Sequence, residues 1–221
     1  MNYLTHQILN SEELEILKSN LDKKEVFWED GKLTAGKHAA ELKNNLQLKR
    51  DSNLSKKFSA LITKKILSNE IIKSFALPKK VHGTIFSKSK NGMKYGRHID
   101  NAYMSSGRAD LSFSIFLNCK DCYSGGSLII ESFNSEEKFK LNAGEIIIYP
   151  STYLHSVEEV IKGERLVFIG WIESYVKNIE EREYLFDLDA AARSLLAKYG
   201  RSNETDLIFK SYSNLLRRLG G

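Results

Sequence analysis

Cysteine and proline are nearly absent from this chain. Its 221 residues include two of each, Cys119 and Cys122, and Pro78 and Pro150. Two thiols three positions apart cannot build a disulfide framework, and such scarcity fits a reducing compartment. Long apolar runs are also missing: nothing approaches the roughly 18 residues that a helical membrane span requires. The opening MNYLTHQILNSEELEIL lacks the basic stretch and following apolar segment of a secretory leader. A soluble cytoplasmic protein with no membrane partner is therefore expected. Low-complexity tracts and internal repeats are absent too, which excludes long linkers and solenoids. Neither sign of charge dominates. The 33 Lys and Arg residues are interleaved with 28 Asp and Glu residues, for a net charge of +5. A mixed surface of this kind argues against nucleic acid as the main partner.

What is present suffices for one domain with small additions. Apolar residues make up 42% of the chain, enough for a core. Ser11, followed by acids at 12, 13 and 15, reads as a capped helix start with Leu14, Leu17 and Leu21 on one face. VFWEDGK (26–32) predicts a short strand and turn. HAAELKNNL (38–46) predicts a second helix, and LSKKFSALITKKILSNEIIKSF (54–75) a third. From residue 81 the texture changes to short segments rich in Ile, Val, Phe and Tyr. Turn residues such as Asn91-Gly92, Gly125-Gly126 and Lys162-Gly163 separate them. That spacing predicts an antiparallel sandwich or barrel. Helical patterning returns after residue 180, with Gly200 as a C-cap and an amphipathic segment over 204–221. Those last helices could pack on the barrel or build a homodimer. The predicted division is an N-terminal helical region (1–77), a β domain (78–176) and a C-terminal helical extension (177–221).

One constellation could carry chemistry. YGRHID places His98 and Asp100 two apart, where a strand would project them to the same face. Such a pair can share one metal ion, or can simply form a solvated polar face. His155 follows on a later strand, and ten residues beyond it Arg165 opens the apolar run RLVFIGW. Two imidazoles and a carboxylate make a facial triad that holds Fe(II) and leaves positions open for co-ligands. An arginine on an apolar strand needs a carboxylate partner, from the protein or from a ligand. His155 and Arg165 are expected on two arms of one hairpin turning near KGE. The Cys119-Lys-Asp-Cys122 pair could be a redox pair or half of a zinc site. No second such pair exists, and it is read as incidental. SGGS (124–127) lacks the strand–loop–helix setting of a phosphate loop and is read as a hairpin turn.

The order of these residues resembles the Fe(II)/2-oxoglutarate-dependent dioxygenases of the prolyl-hydroxylase type, and more closely the bacterial PKHD-type hydroxylases. TAGKHAAELKNNLQL, YGRHID, RADLSFSIFLN, YSGGSLII, AGEIIIYPSTYLHSVEEVIKGER and LFDLDAAARSL carry the resemblance, which spans almost the whole chain. It implies an α+β fold with a mainly β core: a double-stranded β-helix, or jelly roll, with flanking N- and C-terminal helices. It implies His98, Asp100 and His155 as iron ligands, Arg165 as the partner of the distal 2-oxoglutarate carboxylate, and Tyr95 as a helper in holding that co-substrate. It further implies L-ascorbate as reductant, O2 as second substrate, hydroxylation of an unidentified substrate and a link to iron homeostasis. A non-catalytic jelly-roll ligand-binding module is the alternative.

Overall fold

Side chains on successive strand residues point to opposite faces, so a strand buried on both faces must be apolar or small throughout. LSFSIF (111–116) and IIIYP (146–150) meet that condition, and both lie in central strands. A computed structural model describes residues 3–34, 40–132 and 135–221. Seven antiparallel strands form the larger sheet. In spatial order they are β1 (Leu4–Gln7), β13 (Glu145–Pro150), β9 (Leu111–Phe116), β16 (Glu164–Ser174), β5 (Pro78–Lys90), β4 (Leu46–Leu48) and β2 (Trp28–Asp30). Five form the smaller sheet: β12 (Glu136–Phe139), β11 (Leu128–Glu131), β14 (Leu154–Val157), β6 (Lys94–His98) and β3 (Lys43–Asn44). Two short pairs complete the strands: β7 (Tyr103–Met104) with β8 (Gly107–Arg108), and β10 (Ser124–Gly125) with β15 (Val160–Lys162). The two sheets make the jelly roll, as expected.

The larger sheet divides its residues by parity. Phe113 and Ile115 of β9, Ile146 and Ile148 of β13, and Leu166 and Phe168 of β16 face the helices. They meet α1 (Ser11–Leu21), α2 (Asn53–Ser68) and α3 (Glu70–Ala76) through Leu17, Leu21, Phe58, Ile62, Ile66 and Ile72. The intervening residues Phe116, Ile147, Tyr149 and Val167 face the smaller sheet and pack on Leu128, Ile130 and Phe139. At one end Leu77, Val176 and Leu185 join α4 (Ile179–Tyr199) and α5 (Asn203–Leu219) to the core. No helix among the described residues is long and apolar enough to cross a membrane.

Several local expectations change. The first helix is capped by Asn10 rather than Ser11. The Asn10 side chain accepts from the Glu13 amide at 2.9 Å, and Glu13 accepts in return from the Asn10 amide at 3.0 Å. Of the helix expected over 38–46, His38 and Ala39 lie outside the described residues, Ala40 is helical, Glu41 and Leu42 form a turn, and β3 and β4 replace the helix from Lys43. Burial there alternates, with Lys43, Asn45 and Gln47 inside and Asn44 outside. Asn44 and Asn45 are poor helix formers, and pairing with β6 and β5 offers the backbone a better ladder. The long third helix is two. Asn69 adopts extended backbone, ends α2 and caps α3 by accepting from the Ile72 amide at 3.0 Å. Gly125-Gly126 is not a simple hairpin turn, because Gly125 lies in β10 and pairs with β15 at an irregularity in the register.

Phe168 is fully buried against Phe86, with ring centroids 4.6 Å apart. Phe168→Ala is expected to lower stability by roughly 3–5 kcal/mol, read as a shift of the urea midpoint. Asn69→Ala, which removes only a cap, should cost about 1 kcal/mol in the same assay.

Candidate functional site

β6 and β14 are neighbours, and their register sets His98 directly opposite His155. Residues opposite one another in an antiparallel ladder have adjacent side chains. Here the imidazole centroids are 4.2 Å apart. β6 ends at His98, so Asp100 lies just beyond the strand rather than on it. Its carboxylate returns to the site because Ser112 on β9 donates to Oδ2 at 2.6 Å, and Ser151 stands 2.7 Å from Ser112. Asp100 Oδ2 is 3.7 Å from His155 Nε2. One donor atom from each of His98, Asp100 and His155 lies within 4.8 Å of the others, a set able to hold a metal ion.

Backbone carbonyls prepare both imidazoles. His98 Nδ1 is 2.8 Å from the Gly96 carbonyl oxygen, and His155 Nδ1 is 3.1 Å from that of Tyr153. A carbonyl only accepts, so each contact favours the proton on Nδ1 and frees the Nε2 lone pair. Burial, then the neighbouring His155, pulls the His98 pKa down to about 4. The ring is therefore neutral, as a ligand must be, throughout the physiological range. The Tyr95 ring stacks on His98 with centroids 3.7 Å apart. Burial, then Asp100, pushes the Tyr95 phenol upward, and it stays protonated.

Arg165 reaches the same cleft from the opposite sheet. The expected hairpin linking it to His155 does not form. β14 pairs with β6 and β11, β16 pairs with β5 and β9, and the intervening β15 pairs with β10. The two residues face each other across the sandwich because the chain switches sheets at Lys162-Gly163. Arg165 is 3% exposed, and its Nε has no hydrogen-bond partner among the described residues. Its guanidinium lies 5.4 Å from the centroid of Phe116. Burial lowers its pKa, countered by Tyr123 and Tyr149, and it keeps its charge. Beside it Gly126 has φ +67°, and a Cβ there would approach Arg165 Cδ and the Tyr123 ring to 3.2 Å. The glycine makes room for the arginine stem.

The cleft holds about 720 Å³, and all five residues singled out in the sequence line it. Its floor on the larger sheet carries Ser87, Ser112 and Ser114, small side chains alternating with the helix-facing aromatics. Sequence reasoning passed over Tyr149, Ser112, Lys43 and Arg50. Tyr149 was legible, since it shares strand parity with Ile147; the others depend on which strands meet. Burial, then Arg50, pulls the Lys43 ammonium down to about 8. Cys119 and Cys122 lie away from this group, free and exposed around a 3-10 turn (Lys120–Cys122).

An imidazole held at about 4 takes up fewer protons between pH 4 and 6.5 than the same residue in the unfolded chain. Unfolding free energy therefore rises with pH across that window and falls as the solution is acidified. In chelator, thermal scans from pH 7 to pH 4.5 are expected to show a dropping Tm, and His98→Gln should flatten the drop.

Residues 84–173 match the family model of the 2OG-Fe(II) oxygenase superfamily, and residues 180–220 match the PKHD-type hydroxylase C-terminal domain. A PKHD-type hydroxylase of Prochlorococcus marinus strain MIT 9215 is 74% identical over 220 residues, covering 100% of both chains. A second, from strain MIT 9301, is 68% identical with the same coverage. Among solved structures, a prolyl-4-hydroxylase from Pseudomonas putida aligns with a TM-score of 0.56 at 16% identity, covering 78% of this chain and 92% of its own. A Trichoplax adhaerens prolyl hydroxylase, solved with a hypoxia inducible factor peptide fragment, gives 0.57 at 16% identity, covering 83% and 86%. These structural likenesses speak to the fold, and the full-length relatives to the family. The chain belongs to the PKHD-type hydroxylases, 2-oxoglutarate-dependent dioxygenases of the 2OG-Fe(II) oxygenase superfamily.

Proposed function

We propose that His98, Asp100 and His155 hold Fe(II), that Arg165 binds the far carboxylate of 2-oxoglutarate, and that the protein hydroxylates a C–H bond of its substrate. One observation carries this reading. A facial set of donors within 4.8 Å shares a cleft with a buried guanidinium whose Nε lacks a protein partner. Two neutral imidazoles and a carboxylate satisfy three positions of a ferrous ion and leave others free for a chelating co-substrate. A buried arginine without a carboxylate is costly unless a ligand provides one, and a planar guanidinium matches a carboxylate in two parallel bonds. Both features fit the metal and the co-substrate that the family uses.

The chain's own part is to bind, orient and exclude water. The Gly96 and Tyr153 carbonyls fix the tautomers of the two imidazoles. Ser112 holds the aspartate oxygen in place. Tyr95 braces His98 by stacking, and we assign it a supporting part in seating the co-substrate. The apolar side chains of Leu128, Val157, Val167 and Ile169 line the cleft. Bound iron would supply the oxidising power that turns one substrate C–H into C–OH as 2-oxoglutarate and O2 yield succinate and CO2. L-Ascorbate as reductant and a link to iron homeostasis rest on the family resemblance alone. The neighbours' own ligands, a peptide in one case and hygromycin B in an enzyme from Streptomyces hygroscopicus, do not select a substrate class.

The test is succinate formation from 2-oxoglutarate with added Fe(II), together with mass spectrometry for a gain of one oxygen in cell extract. Asp100→Ala is expected to reduce succinate formation by about 100-fold or more, since losing a ligand should exceed the effect of losing its supporting partner. Arg165→Gln should raise the KM for 2-oxoglutarate by roughly 30-fold or more, corresponding to about 2 kcal/mol for a buried charge pair. A wild-type protein that binds ligands in this cleft but makes no succinate under any of these conditions would be a binding module instead.

A further inference from the structure

The wall of the cleft formed by the N-terminal segment carries two cations that the proposed reaction does not use. Lys43, on β3, is 5% exposed and pairs in register with Tyr95. Its Nζ donates to Thr34 Oγ1 at 3.2 Å and lies 5.2 Å from the Tyr95 ring centroid. Arg50, just past β4, stands exposed at the mouth and donates to the Gly83 carbonyl at 3.2 Å. Both line the cleft that holds His98, Asp100 and His155. They are close enough for the charge of Arg50 to oppose that of Lys43.

Neither has a counter-ion. No carboxylate among the described residues comes within 4.0 Å of either cation. None of the residues outside the description is Asp or Glu. Asp100 and then the exposed Asp30 attract Lys43, both from beyond 4.0 Å. Asp100 is the single carboxylate lining the cleft.

The charges of the loaded site can be paired off, which makes the surplus plain. In the loaded site as proposed, the positive charges of a ferrous ion and Arg165 together equal the negative charges of Asp100 and the 2-oxoglutarate dianion. Arg97 is matched by Glu131, which accepts from its Nε at 2.7 and 2.8 Å and from its Nη2 at 2.6 Å. Lys43 and Arg50 remain, two positive charges beside the open end of a partly dry cavity. A buried ammonium without a carboxylate partner is costly, and a second cation beside it focuses a positive field suited to a ligand of the opposite sign.

We propose that Lys43 and Arg50 bind an anionic group of the substrate, a carboxylate or a phosphate, so that the molecule hydroxylated is itself an anion. This rests on the functional reading above and adds the substrate class. Lys43 provides a compact charge with two N–H bonds left over, deep beside Tyr95. Arg50 provides a planar fork at the entrance. Together they would seat the anionic end against the N-terminal wall and leave the substrate's remaining carbon skeleton facing the triad.

The test uses the full chain loaded with Mn(II), which does not turn over, and saturated with 2-oxoglutarate so that Arg165 is occupied. Inorganic phosphate is followed by ³¹P relaxation and trifluoroacetate by ¹⁹F relaxation, both enhanced by a nearby Mn(II). Saturable enhancement is expected for at least one probe, and the stronger responder identifies the phosphate or the carboxylate class. Arg50→Gln and Lys43→Gln should each weaken the probe's apparent affinity by about tenfold or more, while Arg50→Lys retains most of it. Arg50 is exposed, so its variants remain informative if Lys43→Gln does not fold. Absence of enhancement with Mn(II) and 2-oxoglutarate both bound overturns the proposal, as does unchanged affinity in the Gln variants. Failure of Mn(II) to bind, seen by its electron paramagnetic resonance signal, would instead sink the triad assignment and this inference with it.

Discussion

The pairing of β6 with β14 is the constraint on which the site depends. It puts His98 and His155 side by side without any help from a metal, because the ladder fixes which residues are opposite. Backbone hydrogen bonds thus do the positioning, and the side chains need only the right rotamer and the right tautomer. Asp100 is the exception. It lies past the end of β6 and is held by the Ser112 hydroxyl from the other sheet. Two donors come from one sheet's register and the third is fastened by the opposite sheet, so the site exists only when the sandwich is closed.

That closure in turn rests on parity in the larger sheet. Its outward face is filled by Phe113, Ile115, Ile148 and Phe168 against helices, and its inward face alternates between apolar residues and serine. Serines at 87, 112 and 114 keep the inner face low around the cleft, and Arg165 rises from the same face. The same hydrophobic burial that stabilises the domain therefore supplies the rigid support for a charged group that water would otherwise solvate. The arginine is tolerated because Gly126 leaves room for its stem, and because Phe116, Tyr123 and Tyr149 lie beside its head.

Much of this was legible in the chain itself. The nearly continuous apolar runs FSIFLN and EIIIY marked the central strands. The order of His98, Asp100, His155 and Arg165 carried the resemblance to the family. Those residues are set by local pattern, so one sequence suffices to find them. What was not legible depends on contacts between distant segments. Lys43, Asn44 and Leu46 fall in the stretch read as helix over 38–46, yet become strand because β6 and β5 offer edges to pair with. The hairpin expected between His155 and Arg165 failed because β15 pairs with β10, and the chain changes sheets where a local reading supplies only a turn. Lys43 and Arg50 carry no local signal of a role; nothing nearby in sequence indicates that β3 would run along the cleft. Ser112 likewise gains its role only from where Asp100 comes to rest.

The two cysteines have a practical consequence. They are the only thiols in the chain, they are both exposed, and three positions separate them. Tyr123, whose ring packs by Gly126 and the stem of Arg165, follows immediately. A maleimide dye would consequently decorate a single small patch of surface, one residue from that corner, and its emission would report on loading there without any engineered attachment point.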